Sequence, residues 1–198
     1  MKACQRSAFT LIELLIVVAI IAILAAIAVP NFLEAQIRAR VSRAKSDMRS
    51  IGIAWEAYHV DWNSYPRDQD NLLSHATQYG LRQVTTPVAY ITSAPFDPFF
   101  ANWQVAVGDD RWAPNYEIAS ATVYSEPYDC YCIMSLGPDQ TDNTNGNDAW
   151  PNGGDFRGYD PTNGLVSAGE IYRFGGQYLV GQWNYNGLPW QQWGAIGN

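Results

Sequence analysis

The sequence has few of the residues that most often bind transition metals or carry catalysis. Its 198 residues include two histidines, His59 and His75, and three cysteines. Zinc sites need Cys and His ligands at characteristic spacings, which this set does not supply. The sequence also has no Ser/His/Asp set, glycine-rich nucleotide loop or convincing carboxylate pair. We therefore expect a protein that is not an enzyme.

Two of the three cysteines are predicted to be free thiols. Cys4 lies close to the N-terminus, whereas Cys130 and Cys132 lie in YDCYCIM, which alternates like a β-strand. Side chains two residues apart in a strand point to the same face, and a disulfide between them would be strained. We expect Cys130 and Cys132 to be buried and unbridged, and a strained disulfide between them is the alternative.

Basic residues are outnumbered and unevenly placed. The chain has 12 Lys and Arg against 19 Asp and Glu, a net charge of −7. From residue 50 onward there are 16 acidic and 5 basic residues, a net of −11, which argues against nucleic acid as a partner. A basic cluster lies just before this acidic region and consists of Arg38, Arg40, Arg43, Lys45 and Arg49.

One long apolar run stands near the N-terminus. Residues 9–29 include only two polar residues, Thr10 and Glu13. A helix of 21 residues spans roughly 30 Å, which is enough to cross a bilayer core. A carboxylate inside such a span usually has a specific partner. The alternative is that Glu13, near one end of the run, reaches to the membrane surface.

The helix is predicted to continue beyond the apolar run as an amphipathic segment. Apolar residues recur at alternating spacings of four and three, which is typical of a helix with one buried face. These residues are Ile37, Val41, Ala44, Met48, Ile51, Trp55 and Tyr58. Pro30 should weaken the helix because it cannot donate a backbone hydrogen bond. We expect one helix of about fifty residues that ends near Asp61.

The remainder of the chain predicts an α+β fold with long loops. A short second helix is expected over residues 72–79, with Gly80 as its C-terminal stop. Strands are expected at residues 115–119, 128–135 and 170–174, with a weaker one at 177–182. They should form one small antiparallel sheet packed on the apolar stripe. The last residues, WNYNGLPWQQWGAIGN, are interpreted as a surface-packed tail.

The first eight residues, MKACQRSA, carry Lys2 and Arg6 and end on the small residue Ala8, before the apolar run. Ordinary secretory signals are cut after such a run. The junction AFTLIE, with Pro30 later in the run, strongly resembles the type IV pilin superfamily, which includes type IV pilins and the pseudopilins of type II secretion. The resemblance implies a pilin-like fold, with the long helix packed on the sheet, and a subunit that polymerises into a pilus-like or pseudopilus filament.

The resemblance also implies processing and assembly roles. Prepilin peptidase would cut between Ala8 and Phe9, and the new N-terminal amine of Phe9 would be methylated. The family usually has Gly before the cut, so Ala8 is a departure, and we still expect cleavage because Ala is also small. Glu13 would pair with the amine of an adjacent subunit, and Pro30 would be the family's helix-weakening proline.

Four segments follow from this resemblance. Residues 1–8 form the leader peptide, 9–30 the hydrophobic transmembrane and assembly helix, 31–61 its amphipathic half, and 62–198 a globular pilin-like domain. Expected partners are copies of the same chain, prepilin peptidase and an inner-membrane assembly platform. The subunit would lie in the inner membrane before assembly and in an extracellular or periplasm-spanning filament afterwards.

Several alternatives stay open at this stage. The filament is either a surface pilus or a secretion pseudopilus, and the subunit is either major or minor. The chain is alternatively a membrane-anchored binding domain of the adhesin kind, or a soluble domain on a plain signal anchor. The basic cluster either contacts an acidic neighbouring domain or forms a solvated helix face.

A polar loop after the second predicted strand offers oxygen ligands for calcium. Its start, SLGPD at residues 135–139, and its end before Trp150 resemble the calcium loop of major pseudopilins, as PFDPF at 95–99 resembles their turn before the sheet. The resemblance implies ligands at the Leu136 carbonyl, Asp139 and Asp148. Asp142 and Asn147 are two further candidate ligands in this loop. The alternative is a turn-rich loop that uses Asn, Asp and Gly for backbone freedom.

Overall fold

A computed structural model of the protein describes residues 9–66, 79–100, 116–120, 130–141, 154–162, 167–177, 184–186 and 188–189. The chain divides into two compact units, Met1–Arg38 and Ala39–Asn198. The elements in chain order are α1 (Leu11–Trp62), α2 (Tyr79–Gln83), β1 (Glu117–Ser120), β2 (Cys130–Ser135), β3 (Asp155–Phe156), β4 (Ile171–Gly176), β5 (Asn184–Tyr185) and β6 (Leu188–Pro189). The α+β, pilin-like fold is confirmed.

Helix α1 ends at Trp62, one residue after the predicted end. The next residue, Asn63, has a positive φ of 52°. Its backbone N–H donates to the carbonyl of His59 at 2.8 Å. This is the usual left-handed C-terminal cap of a helix, in which Asn is the commonest alternative to Gly.

In the Met1–Arg38 unit, α1 continues through Pro30 without interruption. The proline ring removes the hydrogen bond that the carbonyl of Ala26 would otherwise accept. Pro30 therefore lies inside a continuous helix, and its weakening of that helix stays a prediction.

The Ala39–Asn198 unit holds the apolar core. The predicted stripe on α1 is confirmed, since five of its residues are buried: Val41, Ala44, Met48, Ile51 and Trp55. The two ends of the stripe, Ile37 and Tyr58, are half-buried. This one-sided burial explains why the second half of α1 is amphipathic.

Helix α2 contradicts one prediction about the chain after α1. Gly80 lies inside this helix, which continues to Gln83, so the stop expected at Gly80 is wrong. Leu81 and the following Val84 are completely buried. Their burial outweighs the cost of about 1 kcal/mol that Gly imposes inside a helix. The predicted helical residues 72–78 lie outside the described part of the chain.

Three of the predicted strands form the first sheet. Its order is β1-β2-β4, with antiparallel pairing throughout. The observed bounds differ from the expected ones by one or two residues where they are described. The prediction of a small antiparallel sheet is confirmed for these strands.

A second sheet, β3-β5-β6, corrects the expectation of a single one. Its strands have two residues each, and β3 pairs with β5 in parallel. Two strands lie in the segment interpreted as a tail, whereas Gln177 is not in a strand and residues 178–182 lie outside the described part. Two-residue strands are too short to show a period in the sequence. Backbone bonds hold this sheet, including Asn186 N–H to the Phe156 carbonyl at 2.8 Å.

Strand β2 is buried on both faces along its whole length. On one face Tyr131 packs on Trp55 of α1, with 5.1 Å between ring centroids. On the other face Cys132 is paired in register with Phe174, whose ring lies edge-on to Phe156 at 5.9 Å. Cys130 and Cys132 are buried thiols that form no disulfide within the described residues, as the sequence predicts.

Candidate assembly site

The first turn of α1 is closed by a reciprocal pair of hydrogen bonds. The backbone N–H and hydroxyl of Thr10 donate to Oε2 of Glu13, at 2.9 and 2.7 Å. In return, the backbone N–H of Glu13 donates to the Thr10 hydroxyl oxygen at 3.3 Å. This is a capping box, in which an N-terminal Thr and a Glu three residues later satisfy each other's backbone donors.

The capping box leaves part of the carboxylate available. Both bonds from Thr10 reach Oε2, and Oε1 of Glu13 makes no hydrogen bond within the part of the chain that the structure describes. The residue is exposed. Glu13 therefore retains one oxygen for a partner outside its own chain.

The surface around this carboxylate is apolar and uncovered. Every residue from 9 to 33 is exposed, including Phe9 at 73% and Leu11 at 74%. Among the described residues, α1 is the one helix that is long and apolar enough to cross a membrane, with a mean hydropathy of 3.1 over its most apolar window. Such a surface requires a lipid or protein environment.

The cleavage residues are only partly described. Phe9 precedes the capping box directly, whereas Ala8 and the rest of the leader lie outside the described residues. Pro30 lies on the same exposed apolar segment of α1. The structure thus places Glu13 and Pro30 on one helical segment, with Phe9 two residues before its start.

A second cluster surrounds the buried carboxylate of Asp97, which sequence reasoning missed. Its Oδ1 accepts hydrogen bonds from the Phe99 N–H and the Ser135 hydroxyl, both at 2.9 Å. Its Oδ2 accepts the N–H of Leu136 at 3.1 Å. Burial raises the pKa of Asp97, and the three donors oppose that effect. One side chain thus joins the PFDPF turn to the start of the polar loop.

The polar loop begins with a tight turn from Gly137 to Gln140. Both residues have positive φ angles, 72° and 58°. A Cβ on Gly137 would lie 2.6 Å from the Gly169 carbonyl oxygen, so only glycine fits at this position. Asp139 accepts the Thr141 N–H at 3.3 Å.

Only two of the five expected metal ligands lie in the described part of the chain. Leu136 and Asp139 are described, whereas Asp142, Asn147 and Asp148 are not. No group of three or more His, Cys, Asp or Glu side chains with metal-binding proximity occurs among the described residues. Calcium binding therefore stays a prediction.

Two features visible in the sequence would have improved the prediction of this site. The spacing Thr10-x-x-Glu13 is the capping-box pattern. Pro95-x-Asp97-Pro98 places an acid where a turn commonly uses its side chain to bond the backbone two residues on. In contrast, Glu170 is completely buried and accepts the Tyr172 hydroxyl at 2.8 Å, and no local pattern marks it.

Comparison with known families agrees with this architecture. Residues 4–29 match the model of the prokaryotic N-terminal methylation motif. Residues 31–150 match the model of type II secretion system protein G. The chain belongs to the type II secretion system protein G family, within the wider group of proteins that carry the prepilin motif.

Similar proteins include secretion components and pilins. The type II secretion system core protein G of Pseudomonas aeruginosa is 33% identical over 155 residues, covering 75% of this chain and 95% of that protein. The type IV major pilin protein PilA of Myxococcus xanthus is 45% identical over 78 residues, covering 39% and 35%. The type IV wide pilus major component PilA4 of Thermus thermophilus is 48% identical over 66 residues, covering 33% and 50%. No solved structure matches this chain.

Proposed function

We propose that this chain is a structural subunit that polymerises through α1 into a type II secretion pseudopilus. The exposed apolar surface of residues 9–33 is the observation that carries the proposal. In the membrane, lipid covers this surface, and in a filament the same surface packs against the helices of other copies. A helix that is apolar all round is stable only when it is covered in one of these ways.

The pseudopilus is favoured over a surface pilus by the extent of the similarity. Protein G of P. aeruginosa covers 75% of this chain, whereas the two pilins cover 39% and 33%. The pilins nevertheless have higher identity over their shorter matches, at 45% and 48%. This pattern supports a pilin-type assembly segment on a protein G-type domain, with a surface pilus as the second candidate.

Processing would prepare the assembly segment. Prepilin peptidase removes residues 1–8 by cutting between Ala8 and Phe9, and Phe9 is then N-methylated. The cationic amine of Phe9 pairs with the carboxylate of Glu13 in an adjacent copy, through the oxygen that the capping box leaves available. Pro30 limits the rigidity of the packed helix by its missing hydrogen bond.

The remaining segments have separate roles in this scheme. Residues 9–30 anchor and assemble the subunit, 31–61 join the helix to the core, and 62–198 form the exported domain. The subunit waits in the inner membrane, where an assembly platform adds it to a periplasm-spanning filament. The role is structural and not enzymatic, and no nucleic-acid partner is involved.

Intact mass measured in two cell fractions tests this function. Filaments sheared from cells and washed membranes are compared for the mass of this chain. We expect a chain that starts at N-methylated Phe9 and is confined to the membrane fraction. The same mass in the sheared fraction would indicate a surface pilus, and an uncut chain in both fractions would contradict filament assembly.

We also propose that the polar loop binds calcium through the Leu136 carbonyl, Asp139, Asp142, Asn147 and Asp148. The chemistry of these oxygen donors suits a hard cation. The turn fixed by Asp97 and Gly137 supports the proposal because it holds the start of the loop in place. A bound ion stabilises the folded state, so a chelator should lower the melting midpoint of the processed chain in detergent. An unchanged midpoint would refute calcium binding.

A further inference from the structure

An aromatic cleft lies at the C-terminal end of α1. Tyr58 and Trp62 stack one helical turn apart, with 5.8 Å between ring centroids and 17° between planes. Tyr90 approaches Tyr58 edge-on at 5.7 Å. Residues 86–88 complete the walls of a surface cavity of about 120 Å³. Three aromatic residues, Tyr58, Trp62 and Tyr90, therefore line one small cavity.

The rim of this aromatic cleft carries a negative charge. The Tyr90 hydroxyl donates to Oδ2 of the exposed Asp61 at 2.7 Å. The Tyr58 hydroxyl donates to Oε1 of Gln83 at 3.3 Å. These bonds fix two of the rings, and Trp62 remains 56% exposed. Ring faces carry negative electrostatic potential, so the cleft and its carboxylate together suit a cation.

Two cations that are both exposed and without an ion pair in the described part of the chain lie earlier on the same helix. Lys45 and Arg49 are exposed, lie four residues apart on one face of α1, and make no ion pair within the part of the chain that the structure describes. Arg38 and Arg43 differ, because each is paired with an acid four residues away in the helix. The residues from 50 onward carry a net charge of −11. We therefore expect the face that carries Lys45 and Arg49 to be attracted to this acidic region of a neighbouring copy.

The helix itself prevents these cations from reaching the cleft of their own chain. Lys45 and Arg49 are 17 and 13 residues before Trp62, which corresponds to about 26 and 20 Å along a continuous helix. No lysine or arginine side chain spans that distance. Lys45 and Arg49 can therefore reach a cleft of this kind only in another molecule.

We propose that the aromatic cleft of one subunit receives Lys45 or Arg49 of a second copy in the assembled filament. This inference rests on the proposed function and names the surface by which the exported domains touch. The two copies must be offset along α1 by about 20 to 26 Å. The Phe9–Glu13 pair spans four residues, or about 6 Å. The cleft therefore joins a different pair of neighbours from the one joined at the N-terminus.

Photo-crosslinking in filaments that stay attached to washed membranes tests the contact directly. A photoreactive phenylalanine analogue replaces Trp62 in one variant and the cleft residue Val88 in another. The test can be made if either variant forms filaments. After irradiation, dimers of twice the subunit mass are digested and analysed by mass spectrometry. We expect adducts to the peptide that contains Lys45 and Arg49, and adducts confined to other peptides would overturn the proposal.

Substitution of the cations provides a matched test. The double variant Lys45→Gln with Arg49→Gln should reduce filament yield about tenfold, since a cation–π contact changes an association constant by that order. Arg43→Gln is the control, because Arg43 is already paired with Asp47, and Arg49→Lys should retain filaments. Equal yields for the double variant and the control would overturn the contact.

A further comparison separates this contact from the proposed function. Processed subunit in washed membranes is quantified for every variant, which shows whether the chain is made and cleaved. Normal filaments from the unsubstituted chain, together with crosslinks elsewhere, overturn only the contact. Absence of membrane-attached filaments of the unsubstituted chain, judged by electron microscopy of the washed membranes, would overturn both.

Discussion

At the scale of single residues, Glu13 has two separable roles. Its carboxylate caps α1 through Thr10 and is also the proposed partner of a neighbouring amine. Glutamine at the same position still serves a capping box but carries no charge. Glu13→Gln should therefore abolish filaments while leaving membrane-inserted, processed subunit at its normal level, because removing one member of a buried ion pair costs several kcal/mol.

Thr10→Ala is the matched control for that experiment. It removes the hydroxyl that donates to Glu13 at 2.7 Å, which weakens the start of the helix by about 1 kcal/mol, and leaves the charge in place. Filaments from this variant should persist. If Glu13→Gln and Thr10→Ala reduce filaments equally, capping and not charge pairing is the role of Glu13.

Asp97 makes the stability of the domain depend on pH. Burial raises its pKa in the folded state above the ordinary value of 3.8. An acid with a raised pKa stabilises the fold fully below its unfolded pKa, and that contribution is lost as pH rises through the folded pKa. The asparagine of the Asp97→Asn variant does not titrate. The difference in melting midpoint, taken as the unsubstituted chain minus this variant, should therefore decrease as the pH rises from 4.

The exposed Asp155 provides the control for this pH dependence. Melting curves of the full chain in detergent are compared for Asp97→Asn and Asp155→Asn at each pH. A difference that increases with pH for Asp97→Asn would contradict the burial of a carboxyl with a raised pKa.

Residue roles were predictable from the sequence only where neighbours in the chain create them. Glu13 was singled out because it is an acid in an apolar run, and Cys132 because it lies two residues from another cysteine in a strand. The burial of Asp97 depends on Ser135 and Leu136, which are 38 and 39 residues away. No local pattern encodes a contact of that range.

At the scale of elements, β4 is shaped by the ring that crosses it. Tyr131 of β2 lies opposite Gly175 in register, and a Cβ on Gly175 would lie 2.1 Å from Cζ of that ring. Gly175→Ala should lower the free energy of unfolding by roughly 1–3 kcal/mol, because overpacking forces the ring or the strand to move. Thermal unfolding of the full chain in detergent measures the change.

Gln177→Ala is the control for this substitution, since Gln177 is exposed just past the end of β4. Its midpoint should match that of the unsubstituted chain. A Gly175→Ala midpoint equal to the control would mean that the ring of Tyr131 does not occupy this space.

Long periodic elements were predicted well and short ones were not. The stripe from Val41 to Trp55 repeats over several turns, so its buried face could be assigned from spacing alone. The second sheet consists of two-residue strands around Phe156 and Tyr185, which show no repeat. Its position depends on packing against the aromatic side of β4, where Tyr172 meets the Tyr185 ring at 5.9 Å.

At the scale of the whole molecule, the two units should separate experimentally. Every buried apolar residue in the described part of the chain lies at Val41 or later. A chain that begins at Ala39 should therefore fold and remain monomeric in water without detergent. Gel filtration and near-UV circular dichroism measure this, with the processed full chain in detergent as the reference.

Aggregation of the shortened chain, or loss of its near-UV signal, would show that the first unit contributes to the core. The sequence predicted this division because an exposed apolar run and a one-sided stripe follow each other on one helix. It did not predict that β2 would be buried on both faces. That arrangement depends on segments separated by long polar loops, whose composition indicates turns and not partners.

The Asp97 junction has a consequence for how this fold can change in evolution. The Asp97 carboxylate holds the PFDPF turn against the start of the polar loop. These two segments therefore stay together whatever the length of the loops between them. The entropic cost of lengthening a loop grows slowly, by about 0.6 kcal/mol for each doubling. Insertions between Phe100 and Tyr116, between Ser120 and Cys130, or after Thr141 can therefore accumulate while this fastening and β1 stay in place, which allows one scaffold to carry exported surfaces of very different size.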